Sequence, residues 1–152
     1  MAANTYWFTK AFLNAFGGVD GSKGINFKND EISVALLGDT YTPNQASHES
    51  WADVSAYEIS GTGYTSGGQV LANKIISSNG LNVILTADNP SWDPSSLVAR
   101  WLVIYKSAPE ANADKLLLGY MDLEENLMSK NGPFEIQWNT DGMLMGATQP
   151  QV

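Results

Sequence analysis

The one histidine of the chain, His48, lies in Ser47-His48-Glu49-Ser50, with Asp53 close behind. A hydroxyl, a base and an acid are therefore all at hand, which are the residue types of acyl transfer. Triad members converge from distant positions, because consecutive residues cannot bring the three groups into line. The stretch reads instead as a solvated loop. Asp122, Glu124 and Glu125 are the densest acidic cluster, yet they lack the alternating Asp/Asn pattern and trailing Glu of a calcium loop. A glycosidase pair is defined by separation in space, and no pair is singled out by the sequence. With no cysteine present, disulfide scaffolds, thiolate zinc sites and cysteine nucleophiles are excluded. The expectation is a protein without catalysis, cofactor or obligatory metal.

Gly61-Thr62-Gly63-Tyr64-Thr65-Ser66-Gly67-Gly68 has the glycines of a phosphate cradle. It ends without a Lys-Ser/Thr pair and has no strand-loop-helix frame around it, so Gly61, Gly63, Tyr64, Gly67 and Gly68 are read as a structural turn. At least one of these glycines is expected at a backbone angle that a Cβ disfavours. Trp101, Trp138 and Tyr105 fall in predicted strands and read as core. Trp51 and Trp92 fall in loops, where an exposed ring serves an interface better than a core, and both are candidate interface residues.

Short β-like segments must position these groups. Phe8, Phe12, Ala15 and Phe16 recur at spacings of three and four, which predicts a helix over 5–18 stopped by Gly17 and Gly18. Glu31 to Leu37 alternates Ile32, Val34 and Leu36 and predicts a strand, followed by a long polar connection over 38–50 and a single helical turn over 51–54. Further strands are predicted over 57–59, 69–76 and 81–87, the last two joined at Asn79-Gly80, a hairpin signal. Leu97 to Tyr105 has large side chains on both faces, the pattern of a central strand covered on both sides. Strands over 115–123, 134–138 and 143–147 complete the series. This succession predicts one all-β domain over 1–152, a β-sandwich of jelly-roll-like form with a short N-terminal helix.

The 152 residues include 8 Lys plus Arg against 16 Asp plus Glu, for a net charge of −8. A phosphate-gripping surface needs clustered cations, so a nucleic-acid partner is not expected. No run reaches the roughly 18 apolar residues of a membrane helix, and no basic-then-apolar leader opens the chain, so neither a membrane partner nor standard export is expected.

Several segments in order resemble a group of small virion proteins of tailed bacteriophages. They are Ile32-Ser33-Val34-Ala35-Leu36-Leu37, Trp51-Ala52-Asp53-Val54, the stretch from Tyr57-Glu58-Ile59-Ser60 through Gly68 with Leu71-Ala72 after it, Ala99-Arg100-Trp101-Leu102-Val103-Ile104-Tyr105, Leu118-Gly119-Tyr120-Met121-Asp122, and Phe134-Glu135-Ile136-Gln137-Trp138. The resemblance implies a non-enzymatic structural protein, a capsid decoration or cement protein bound to the outer face of the major capsid lattice as a homo-oligomer, a trimer at a local symmetry axis. A neck, tail or fibre-adaptor protein is the alternative within the virion, and a carbohydrate-binding module on its surface is another. A charge of −8 suits the exterior, since packaged DNA would repel it. Terminal segments fray unless a neighbour holds them. Met1, Ala2, Ala3, Asn4, Pro150, Gln151 and Val152 therefore join Trp51 and Trp92 as expected contacts with the major capsid protein or a second copy.

Overall fold

The structure, a computed structural model, describes residues 4–108 and 111–148. It is all-β apart from one short helix and three 3₁₀ turns, which agrees with the class expected from the sequence. A five-stranded antiparallel sheet has the order β1-β8-β7-β2-β3, formed by β1 (Thr5–Trp7), β8 (Leu117–Met128), β7 (Val98–Lys106), β2 (Ile32–Leu37) and β3 (Gln69–Val70). A three-stranded sheet has the order β10-β5-β4, from β10 (Leu144–Ala147), β5 (Asn82–Thr86) and β4 (Ile75–Asn79). The remaining pair is β6 (Ser91–Ser95) with β9 (Gly132–Glu135). This partition into five, three and two strands establishes the all-β class; it does not by itself define a jelly roll.

The large sheet is buried on both faces, as the unbroken apolar character of β2 and β7 requires. In register, Val34 lies opposite Ile104 and Leu36 opposite Leu102 on one face, while Ala35 lies opposite Val103 on the other. The first face packs on Leu85, Leu144, Trp92, Phe134 and Trp138 of the smaller sheets and the segments beside them. The second is covered by Phe8, Tyr41, Trp51 and Val54. A register shift between β7 and β8 at Ile104 and Tyr105 leaves Leu118 as an extra residue facing the first cluster.

The outer edge of β2 pairs with β3 only at Ser33 and Val34, so the rest of that edge needs other partners. The Leu71 amide donates to the Ile32 carbonyl (2.8 Å), the Ile59 amide to the Leu36 carbonyl (3.1 Å), and the Gly38 amide to the Tyr57 carbonyl (2.9 Å). The Leu36 amide donates to the Tyr64 hydroxyl at 3.0 Å. Tyr64 is fixed there because its O–H donates to Glu58 Oε1 (2.8 Å), which also accepts the Gly67 amide at 2.6 Å. Ser66 donates to Glu58 Oε2 (3.1 Å), and Tyr105 donates its O–H to the Gly67 carbonyl (2.6 Å). The glycine stretch is thus a turn strapped over a strand edge, with Gly63, Gly67 and Gly68 at positive φ. Gly68 has a second reason to lack a side chain. At φ +84, its Cβ would fall inside the van der Waals envelope of the Val34 carbonyl oxygen.

Where the structure departs from the sequence expectation, the cause is local. The N-terminal segment begins as β1, not helix, because Thr5 to Trp7 pair with Met121 to Gly119. The helix α1 is only Thr9–Ala15, closed by the Gly18 amide on the Leu13 carbonyl (2.9 Å). The expected strand at 57–59 is a 3₁₀ turn and a single bridge between Leu37 and Glu58. The expected strand at 69–76 is divided between two sheets, with Asn73 at φ 54 making the bend.

Replacing Gly68 with Ala should cost about 3 kcal/mol in urea unfolding, from backbone strain and the forced retreat of β2. Gly24→Ala, where a Cβ meets open space, should stay within about 0.5 kcal/mol. Equal, small losses for the two variants would contradict the close approach of the loop to β2.

The tyrosines give a second check. Burial, then the charges of Glu58 and Glu31, push the Tyr105 phenol up to about 12. Burial also raises Tyr41 and Tyr64 above the ordinary value near 10. A group held neutral in the fold stabilises below its unfolded pKa, and that stability is lost as pH climbs through the folded value. The urea midpoint should therefore fall between pH 10 and 12. Full phenolate absorbance near pH 10 with the fold intact would contradict this.

Candidate functional site

The serine, histidine and acids of the 47–53 loop do not converge. Tyr41 donates its O–H to His48 Nδ1 (2.8 Å), and the Asn44 amide donates to the same nitrogen at 3.3 Å, so that nitrogen carries a lone pair and the imidazole is tied into its own loop. Asp53 Oδ2 accepts the amides of Glu49 (2.8 Å) and Ser50 (3.1 Å) and caps the 3₁₀ turn Trp51–Asp53. Burial pushes the Asp53 carboxyl up, but these amides outweigh it and hold the group below its usual range. Glu49 binds Lys23 at 2.7 Å and Asn14 at 3.2 Å, and the Lys23 contact lowers its carboxyl. These three acid and base groups organise loops and the end of α1.

Asp122 likewise faces Arg100 and accepts the Glu124 amide (2.7 Å). Among the described residues, no cluster of three or more acidic, His or Cys side chains is arranged to hold a metal ion.

Two interface expectations need correction. Trp51 is 6% exposed and stacks on Tyr105 with ring centres 4.5 Å apart. Trp92 is 6% exposed and meets Phe134 edge-on at 6.1 Å. Trp51 turns inward at the capped 3₁₀ turn, and Trp92 lies not in a loop but in β6, paired with Phe134, so both rings are part of the core. Asn4 is exposed and its carbonyl accepts the Asp122 amide at 3.3 Å. The expected contacts at Met1, Ala2, Ala3, Pro150, Gln151 and Val152 lie outside the described residues.

Two grooves lie on the two faces of the β10-β5-β4 sheet. Alternation along β5 assigns Val83 and Leu85 to one face and Asn82, Ile84 and Thr86 to the other. On the first face a groove of about 400 Å³ runs between the sheet and α1. Trp7, Phe12, Phe16, Ile25, Phe27, Val83 and the extra residue Leu118 are in its lining, and Thr148 is its one polar side chain. Trp7 is anchored there by its indole N–H on the Met145 carbonyl (2.9 Å) and by its ring on Phe12, 4.9 Å between centres. Phe16 is 90% exposed, Phe12 46% and Val83 42%. Apolar spacing along the first segment locates the helix, but of Phe8, Phe12, Ala15 and Phe16 only Phe8 is buried.

On the opposite face a groove of about 520 Å³ is lined by Ser77, Asn79, Asn82, Thr86, Asn139, Thr140 and Asp141, with Ile84 and Met145 beneath. The turn at 139–142 forms one wall. Its closing residue, Gly142, sits at φ +117 with no room for a Cβ against Ile84 Cγ2, which is what lets the turn lie down on the sheet. Neither groove was visible in the sequence, because each assembles residues from three or more separated segments.

No protein-family model matches the chain, no curated protein matches it, and no solved structure matches it.

An apolar dye such as Nile red should bind the native protein with blue-shifted emission. Val83→Arg and Phe16→Ser should each reduce that emission by more than half while leaving the melting temperature within a few degrees. Unchanged emission in both variants would show that the groove is not open to solution.

Proposed function

We propose that the protein is a non-enzymatic structural component of a tailed-bacteriophage virion, a decoration protein that docks on the outer face of the major capsid lattice. The observation that carries the docking role is the apolar groove beside α1, with Phe16 90% exposed at its rim. Contiguous exposed aromatic surface of this kind is costly in water and is characteristic of protein contact sites. Phe12, Phe16 and Trp7 are large anchors able to supply most of the binding energy, as aromatic residues do at other interfaces. The virion assignment comes from the ordered segments that resemble phage structural proteins, and the charge of −8 favours the exterior over the DNA-filled interior. Assembly as a homotrimer at a symmetry axis belongs to the same proposal, since several copies would multiply a weak contact.

Purified particles carrying the protein should contain hundreds of copies on the head. Phe12→Asp with Phe16→Asp should remove most of the bound protein and leave it folded with a modestly lower urea midpoint, because Phe16 is 90% exposed and Phe12 gives up its contact with Trp7. A handful of copies confined to the tail would favour the neck, tail or fibre-adaptor reading. Full occupancy by the double variant would overturn docking through this groove.

A further inference from the structure

The polar groove on the far side of the same sheet has a chemistry of its own. Three carboxamides, Asn79, Asn82 and Asn139, and one carboxylate, Asp141, border it. Asn139 Oδ1 accepts the Asp141 amide at 3.0 Å, and the other polar ends of these four side chains are unpaired among the described residues. Each carboxamide offers a donor and an acceptor in one plane, which matches the spacing of neighbouring hydroxyls on a ring. Below them, Ile84 and Met145 supply an apolar floor suited to the C–H face of that ring. No Lys, Arg or His lines the groove, so a phosphate, sulfate or carboxylate ligand would find no counter-charge. One carboxylate is too few for a calcium ion, which takes six to eight oxygen ligands.

The groove is also longer than one sugar ring requires. A second pocket of about 180 Å³ shares Asn139, Asp141 and Met145 with it and continues to Asn4 and Thr5. Asn4 adds a further carboxamide at that end. Asn79 and Asn82 face each other across the β4-β5 hairpin, which places their two carboxamides side by side.

We propose that this trough is a binding site for a neutral oligosaccharide of several units. The site is independent of what the apolar face docks on, and it remains open to solvent when that face is covered, because it lies on the opposite side of the sheet.

The test is a printed array of neutral and anionic bacterial-surface oligosaccharides probed with the purified protein, followed by titration calorimetry with the strongest neutral hit. Binding should be confined to neutral glycans. Asn82→Ala and Thr140→Ala should each weaken it by about tenfold or more, with Phe16→Asp leaving it unchanged and all three variants melting like the parent. An array without neutral hits would overturn the proposal. So would equal binding of anionic glycans, or affinity unaffected by both groove variants.

Discussion

The outer edge of β2 would present an unpaired Leu36 amide if Glu58 did not hold Tyr64 and the Gly61–Gly68 loop against it, while the Leu36 carbonyl is taken by the Ile59 amide. A buried donor left unsatisfied costs about 1–3 kcal/mol, and an open edge also invites another chain to pair with it. Glu58 resolves both difficulties by fixing Tyr64 so that one phenol serves two partners, accepting from Leu36 and donating to the carboxylate. With that edge closed, β2, β7 and β8 can be covered on both faces, and the two core clusters follow.

That buried sheet is the platform for the three-stranded sheet, whose inner residues Leu85 and Leu144 are part of the first cluster. Each strand of a sheet has two faces, and here neither is wholly committed to the core. Val83 and Leu85 face the groove beside α1, where the helix is too short to cover what the strand exposes. Asn82, Ile84 and Thr86 face the polar trough. A sheet anchored at its centre leaves both surfaces accessible, and the proposed docking and oligosaccharide sites draw on one each. The acid and base groups of the 47–53 loop serve as caps and loop ties.

Much of the fold was legible because it follows from side-chain alternation. β2 and β7 were placed within a residue or so, and Asn79-Gly80 marked the β4-β5 hairpin. β6 was missed because Asp93 and Pro94 in its middle argue against a strand, whereas an edge pair tolerates them. Trp51 and Trp92 depart from the loop expectation for a different reason. A loop position says nothing of whether the loop folds inward, and the Asp53 cap that turns Trp51 onto Tyr105 works through backbone amides. Phe12 and Phe16 show the converse case: periodic apolar residues identify a helix but not whether each has a neighbour to pack on. The two grooves had no sequence signal, since their residues come together only through the register of β4, β5 and β10.

Hydrogen–deuterium exchange of the protein, free and bound to intact particles, addresses the docking face directly. Peptides covering 8–19 and 81–86 should become protected on binding, because α1 and β5 form the apolar groove, while those covering 75–79 and 138–142 should exchange as in the free protein. Protection confined to 75–79 and 138–142, or absent from α1, would contradict the account and move the contact to another surface.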